Sequence, residues 1–136
     1  MRVVFPDGTA VRASSLAARA AEPCDFGLYL DARWAPTWPA VMVEWEDFGV
    51  PRDPDAAAAA IRDAFARARA GEVVEVGCAG GLGRTGTVLA CMAILAGVPP
   101  EGAVAWVREH YDERAVETRA QEDWPLWFAK HTGLGP

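Results

Sequence analysis

The chain has 136 residues, of which 51% are hydrophobic and 24% charged, with a formal net charge of -6 and a pI near 4.8. That length suits one domain, residues 1–136, with a core of its own. The acidic balance excludes a general nucleic-acid or anionic-membrane surface, so any affinity for phosphate has to be local.

Met1-Arg2 opens onto a short apolar run broken at Pro6-Asp7-Gly8. This is not the pattern of a signal peptide. Arg2–Phe5 and Thr9–Arg12 flank that turn signal and predict a β-hairpin. Ser14 or Ser15 is a candidate cap for a short helix over Leu16–Ala21. Phe26, Leu28 and Leu30 alternate with Gly27 and Tyr29, which predicts a strand ending at Asp31. Arg33–Pro39, with two tryptophans and two prolines, reads as a loop. Val41–Trp45 reads as a further strand. Asp53 suits an N-cap, Pro54 a first helical residue, and Gly71 a position just past the end. Ala57, Ile61, Phe65 and Ala68 share one face of that helix.

The most informative stretch follows. Val73–Val76 is apolar and β-branched and reads as a buried strand, returning parallel to an earlier one through a right-handed crossover. Gly77-Cys78-Ala79-Gly80-Gly81-Leu82-Gly83-Arg84-Thr85-Gly86 is a glycine-rich loop. The apolar run Thr87–Ala96 then reads as a buried helix ending at Gly97, too short to span a bilayer. Strand, glycine loop and helix N-terminus together make an anion site, because backbone N–H groups and the helix dipole converge there. No Gly-Lys-Ser/Thr follows, so this is not the ATP-binding loop. The site instead holds Cys78 and Arg84, with five residues between them. A thiolate is the reactive form of cysteine, and a helix N-terminus stabilises it. The guanidinium is a planar fork suited to two phosphate oxygens. Gly80, Gly81 and Gly83 leave room for close approach of a ligand to the backbone.

Pro99-Pro100-Glu101 opens another helix, with Ala103, Val104 and Val107 as its apolar stripe. Thr118 and Gln121 have capping-box spacing before the last helix, whose start is expected near Asp123 because Pro125 cannot donate a backbone hydrogen bond. Trp124, Trp127 and Phe128 read as core. His110 and His131 lack metal-ligand or triad partners nearby, and there is no zinc spacing or dinucleotide fingerprint. No metal or cofactor is expected. Cys24, Cys78 and Cys91 are irregularly spaced, which is no disulfide framework and fits a reduced, cytoplasmic setting.

Cys78-Ala79-Gly80-Gly81-Leu82-Gly83-Arg84-Thr85-Gly86 resembles the signature loop Cys-x-x-Gly-x-x-Arg-Ser/Thr-Gly of the cysteine-dependent protein tyrosine and dual-specificity phosphatases. Trp45-Glu46-Asp47-Phe48-Gly49-Val50-Pro51 resembles the mobile acid loop of the tyrosine-specific members, Trp-Pro-Asp-x-Gly-Val-Pro. Arg114–Gln121 resembles the family segment whose Gln positions a water. The resemblance runs from about Val41 to Phe128. It implies an α/β fold: a central, mostly parallel sheet flanked by helices, made mixed by the N-terminal hairpin. It implies Cys78 as nucleophile, Asp47 as general acid, Gln121 as water-positioning residue and Thr85 as a hydrogen-bond donor to the Cys78 sulfur. Phosphate would be held by Arg84 and the backbone of Ala79, Gly80, Gly81, Leu82, Gly83 and Arg84. The implied substrate is a phosphorylated protein or peptide, with no nucleic acid, no membrane and a monomeric enzyme.

Two departures stand out. Glu46 replaces a proline, which puts the stiffness of the acid loop in question. Gly77 replaces the histidine that precedes the nucleophile, which predicts a less supported, more mobile loop around Cys78. The chain also lacks a Lys-Asn-Arg-Tyr phosphotyrosine-recognition pattern, so a shallow, dual-specificity-like pocket is expected and phosphoserine and phosphothreonine stay open as substrates. Ala79 and Leu82 are neutral where inositol-lipid phosphatases carry basic residues, and the acidic balance disfavours RNA 5′ ends. Two rival classes are a phosphate-binding pseudophosphatase and another thiol enzyme such as an arsenate reductase or sulfurtransferase. Retention of Cys78, Arg84 and Asp47 together opposes the first. Against the arsenate reductase, Cys24 and Cys91 show no spacing for a resolving thiol, and Cys91 reads as packing.

Overall fold

At Pro6-Asp7-Gly8 the chain reverses, with Gly8 at φ 89° and the Thr9 N–H donating to Asp7 Oδ1 at 2.9 Å. The flanking strands, β1 (Arg2–Val4) and β2 (Ala10–Ser15), pair antiparallel as the sequence predicts. This computed structural model describes residues 1–18 and 22–132. Next come β3 (Phe26–Tyr29), β4 (Ala40–Met42), α1 (Pro54–Arg69), β5 (Val74–Cys78) and α2 (Gly83–Leu95). A 3-10 turn (Pro100–Gly102) leads into α3 (Ala103–His110), and α4 (Arg119–His131) follows. The sheet order is β1-β2-β5-β3-β4, parallel throughout except for the β1–β2 pair. This is the expected mixed α/β sheet with β5 at its centre.

Strand alternation sorts the sheet into two chemically different faces. Val11, Ala13, Phe26, Leu28, Val74 and Val76 join the main apolar core. That core includes Ala57, Ile61, Phe65 and Ala68 of α1 and Val88 to Ile94 of α2. The Asp53 side chain accepts the Ala56 N–H, which caps α1 where the sequence places its start. The alternate positions, Arg12, Ser14, Tyr29, Glu75 and Gly77, belong to the other face. There the buried Glu75 carboxylate accepts from Tyr29 Oη at 2.7 Å, Arg12 Nε at 2.6 Å and Ser14 Oγ at 2.8 Å. A buried carboxylate persists only when its oxygens are satisfied in this way.

Three elements depart from expectation. The strand predicted over Val41–Trp45 is instead Ala40–Met42, an exposed edge strand. Its partner β3 ends at Tyr29, so the ladder stops and Trp45 pairs across the following loop with Pro51 in an isolated bridge. The helix predicted over Leu16–Ala21 begins as a turn, with Ala18 N–H donating to Ser15 Oγ at 3.2 Å; residues 19–21 lie outside the described residues. The Ser14 hydroxyl donates to Glu75 instead. Helix α4 starts at Arg119, not near Asp123, because Thr118 Oγ1 accepts the Gln121 N–H and caps it. Pro125 then sits inside the helix, where it removes one donor. Among the described residues no helix is long and apolar enough to cross a membrane.

Candidate active site

In open parallel sheets, ligands bind beyond the carboxyl ends of the strands. Here those ends bring together Ser15, Leu30-Asp31 and Cys78, since Ser15 pairs with Cys78 and Leu30 N–H donates to Gly77 O at 2.9 Å. The chain leaves β5 at Cys78, turns through Ala79–Leu82 with Gly81 at φ 74°, and enters α2 at Gly83. Gly81 is the loop position where a side chain would be strained. The α2 N-cap is Leu82, whose side chain has no polar atom to occupy the first helical N–H groups. Those groups are the ones that suit an anion.

The Cys78 sulfur is buried and accepts the Gly81 N–H at 3.1 Å. The sequence expectation assigned such a contact to Thr85. The Thr85 hydroxyl is instead fully buried and has no hydrogen-bond partner among the described residues. The donor to the sulfur is the backbone amide of Gly81.

Arg84 is also buried, and its guanidinium is anchored from behind. Nη1 donates to Leu30 O at 2.7 Å and to Trp45 O at 2.9 Å, and Nη2 donates to Asp31 Oδ2 at 3.1 Å. The Nε–H is buried with no hydrogen-bond partner among the described residues, and it lies 3.7 Å from Asp47 Oδ1. Both Nη1 donors serve the scaffold, which leaves the Nε–H and one Nη2–H of the five guanidinium donors for a two-pronged grip. Asp31 also takes both Arg33 Nε and Nη2 at 2.9 Å. First Arg33 and then Arg84 hold its carboxyl well below the usual carboxylate range.

Asp47 sits on the loop Trp45–Pro51 with its side chain 52% exposed. Glu46 stands in this loop in place of proline, and backbone contacts join its two ends. Gly49 N–H donates to Glu46 O at 2.9 Å, Trp45 Nε1 donates to Gly49 O at 2.7 Å, and the bridge to Pro51 closes its base. Gln121 reaches the same loop: its Nε2 also donates to Gly49 O, at 2.9 Å, while its Oε1 accepts Glu117 N–H at 2.9 Å. The capping box is thus half made, since the glutamine reaches back to Glu117 and not to Thr118. Fully buried, Gln121 borders the phosphate loop, its Oε1 lying 3.1 Å from where a Cβ on Gly83 would be.

The sequence reading did not single out four contributors. Asp31 and the Leu30 carbonyl orient Arg84. Tyr111 donates its hydroxyl to Gly81 O, and burial, with Cys78 nearby, pushes that phenol up to about 12. The fourth is Trp34, which read only as part of an aromatic loop. A Cβ on Gly77 would lie 2.5 Å from Trp34 Cζ2 and 2.8 Å from Cε2, so the indole fills the space that a side chain there would need. No spacing rule reveals this; the signal was the coincidence of an unusual glycine and a tryptophan-rich loop.

All three cysteines are free thiols. Burial pushes the Cys91 thiol well up, and burial followed by the Glu75 charge raises that of Cys24. No group of three or more His, Cys, Asp or Glu side chains is placed to hold a metal among the described residues.

The family profile described as protein-tyrosine phosphatase matches residues 33–114. Two uncharacterized proteins of Methanocaldococcus jannaschii are 41% and 38% identical, each match covering 74% of this chain and 74% and 68% of the relative. Among solved structures, human DUSP28 superposes with a TM-score of 0.72 at 16% identity over 98% of both chains. Tk-PTP in its active form gives 0.68 at 24% identity over 79% of both. PTPMT1 gives 0.71 at 14% identity over 98% of this chain and 96% of its own. These likenesses establish the fold, a mixed sheet flanked by helices of the phosphatase type. The chain belongs to the protein-tyrosine phosphatase family.

Proposed function

We infer that the protein hydrolyses phosphotyrosine monoesters through a phosphocysteine intermediate, in a shallow site that leaves phosphoserine and phosphothreonine open as further substrates. The observation that carries this reading is the convergence of Cys78, Arg84 and Asp47. The sulfur receives a loop amide at 3.1 Å, and the unpartnered Arg84 Nε lies 3.7 Å from Asp47. A phosphate-binding module has no use for a thiol and an acid on the same anion cradle.

The proposed chemistry runs in two steps. The Cys78 thiolate attacks phosphorus in line, the P–O ester bond breaks, and Asp47 gives its proton to the leaving oxygen. Water then attacks the phosphocysteine, Asp47 takes the proton from that water, and the P–S bond breaks to return the thiolate and inorganic phosphate. Arg84 and the amides of Ala79 to Arg84 hold the equatorial oxygens, where most of the stabilisation belongs in phosphoryl transfer. Orienting that water is the role assigned to Gln121, a reading supported by its bond to Gly49 O on the acid loop.

The test is hydrolysis of phosphotyrosine peptide and aryl phosphate in the presence of a metal chelator. Cys78→Ser should abolish turnover, by at least about 10⁴-fold as for loss of a catalytic nucleophile, while phosphate binding survives. Turnover that persists in Cys78→Ser, or that needs a divalent metal, rejects the mechanism. Phosphate binding without any wild-type turnover establishes the pseudophosphatase alternative.

A further inference from the structure

Trp34 does more than fill the space beside Gly77. Its Nε1 donates to the carbonyl oxygen of Cys78 at 3.2 Å, and the Leu16 N–H donates to the same oxygen at 3.2 Å. The peptide joining Cys78 to Ala79 is planar and trans, so its C=O and N–H point in opposite directions. Fixing the carbonyl toward Trp34 and Leu16, whose N–H is shared with Ala79 O at 3.2 Å, turns the Ala79 N–H the other way, away from the indole. A flipped peptide would instead present a carbonyl dipole to the bound anion.

The indole is itself held in place. It is 6% exposed and stacks on Tyr29, with ring centroids 4.4 Å apart and planes 16° apart. Tyr29 Oη accepts from Trp38 Nε1 at 2.8 Å and donates to Glu75 Oε1 at 2.7 Å. Glu75 lies on β5 three residues before Cys78 and is tied to β2 through Arg12 and Ser14. A continuous polar and aromatic train therefore runs from the buried carboxylate of the central strand to the carbonyl of the expected nucleophile.

We propose that Trp34 is a positioning residue for the phosphate loop, setting the Cys78–Ala79 peptide so that its N–H serves the phosphate. This rests on the phosphatase reading, but phosphate binding tests it without turnover. The probes are inorganic phosphate, measured by calorimetry, and an aryl phosphate, measured by steady-state kinetics, both on the full chain. Trp34→Phe keeps an aromatic ring and deletes the N–H. It should leave the unfolding midpoint within a few degrees, while phosphate affinity and kcat/KM fall together by about five- to tenfold, the equivalent of one hydrogen bond. Gly77→Ala places a methyl against the indole and should cause a similar loss. The double variant should lose less than the product of the two, because both act on one contact. Wild-type phosphate affinity in Trp34→Phe overturns the proposal, as does a fall in the unfolding midpoint with affinity and kcat/KM unchanged. Should Trp34→Phe not fold, Gly77→Ala decides in the same way: unchanged phosphate affinity there overturns it. A wild-type protein that binds phosphate but turns nothing over defeats the phosphatase reading and leaves the affinity test of Trp34 intact. One that does not bind phosphate defeats both.

Discussion

Asp47 and Arg84 illustrate how a side chain gains a role from its neighbours. Arg84 is fixed by two carbonyls and Asp31, so the direction of its remaining N–H groups is set before any ligand arrives. Such preorganisation is what makes electrostatic stabilisation effective in a buried site. Asp47 is half-exposed on its loop, its Oδ1 accepting the Phe48 N–H at 3.1 Å, and the proposed mechanism makes it the acid. An acid matters most where the leaving oxygen needs a proton. Asp47→Asn should therefore lower kcat on phosphotyrosine by about 10²-fold, within the usual range for a general acid, and should lower it far less on an aryl phosphate with an acidic phenol. Glu46→Gln, the neighbouring carboxylate, should have a small effect on both. Equal losses on the two substrates in Asp47→Asn would move the acid's role elsewhere.

At the scale of elements, two segments on either side of the site hold strained backbone. Phe48 on the acid loop has φ 62° and Val116, ahead of α4, has φ 65°. Val116 is fixed in that conformation from several sides. Its N–H donates to Leu82 O at 3.1 Å, and Arg108 Nη2 and Nε donate to Val116 O and Ala115 O at 2.8 and 2.9 Å. Thus α3, through Arg108, sets the segment that delivers Glu117 and Gln121. Phe48 is different, because it is 59% exposed and its ring contributes little burial. A left-handed conformation costs an ordinary residue about 1–2 kcal/mol, and asparagine tolerates it better. Phe48→Asn should therefore raise stability by roughly 0.5–1 kcal/mol, or about 2–4 °C in the unfolding midpoint. A lower midpoint would mean that the Phe48 ring packs on the loop more than its exposure implies.

For the molecule as a whole, Asp31 links three parts of the fold: the end of β3, the Arg33 loop and, through Arg84, helix α2. Its carboxyl is held below the usual range, by Arg33 first and then Arg84. A group depressed in this way contributes stability above its unfolded value of about 3.9 and loses it as pH falls through the folded value. Asp31→Asn should thus lower the unfolding midpoint at pH 7, and the gap to wild type should close as pH falls below about 4. High salt should trim the gap only in part. The Arg33 partner is exposed and screened, whereas the Arg84 partner is buried. A gap that stays constant down to acid pH would show that Asp31 acts through packing and not through its charge.

The sequence by itself determined the mixed α/β order, the hairpin, the helix capped by Asp53 and the glycine-rich loop between β5 and α2. These rest on local chemistry: turn residues, capping spacing, apolar periodicity and the pattern Cys78 to Gly86. Local chemistry also misplaced three boundaries. Ser14, read as a helix cap, is bonded to Glu75 from a different strand, and β4 stops where its partner stops. Pro125 did not set the start of α4, because Thr118 had already capped it. Only the tertiary structure decided what anchors Arg84, how Gln121 is held between Glu117 and the acid loop, and what stands beside Gly77. Those contacts join residues far apart in the chain, as with Trp34 and Cys78 or Gln121 and Gly49. The physical reason is that hydrogen-bond donors and buried volume are satisfied in space, by whichever element the sheet order brings alongside, and sequence spacing carries no record of that choice.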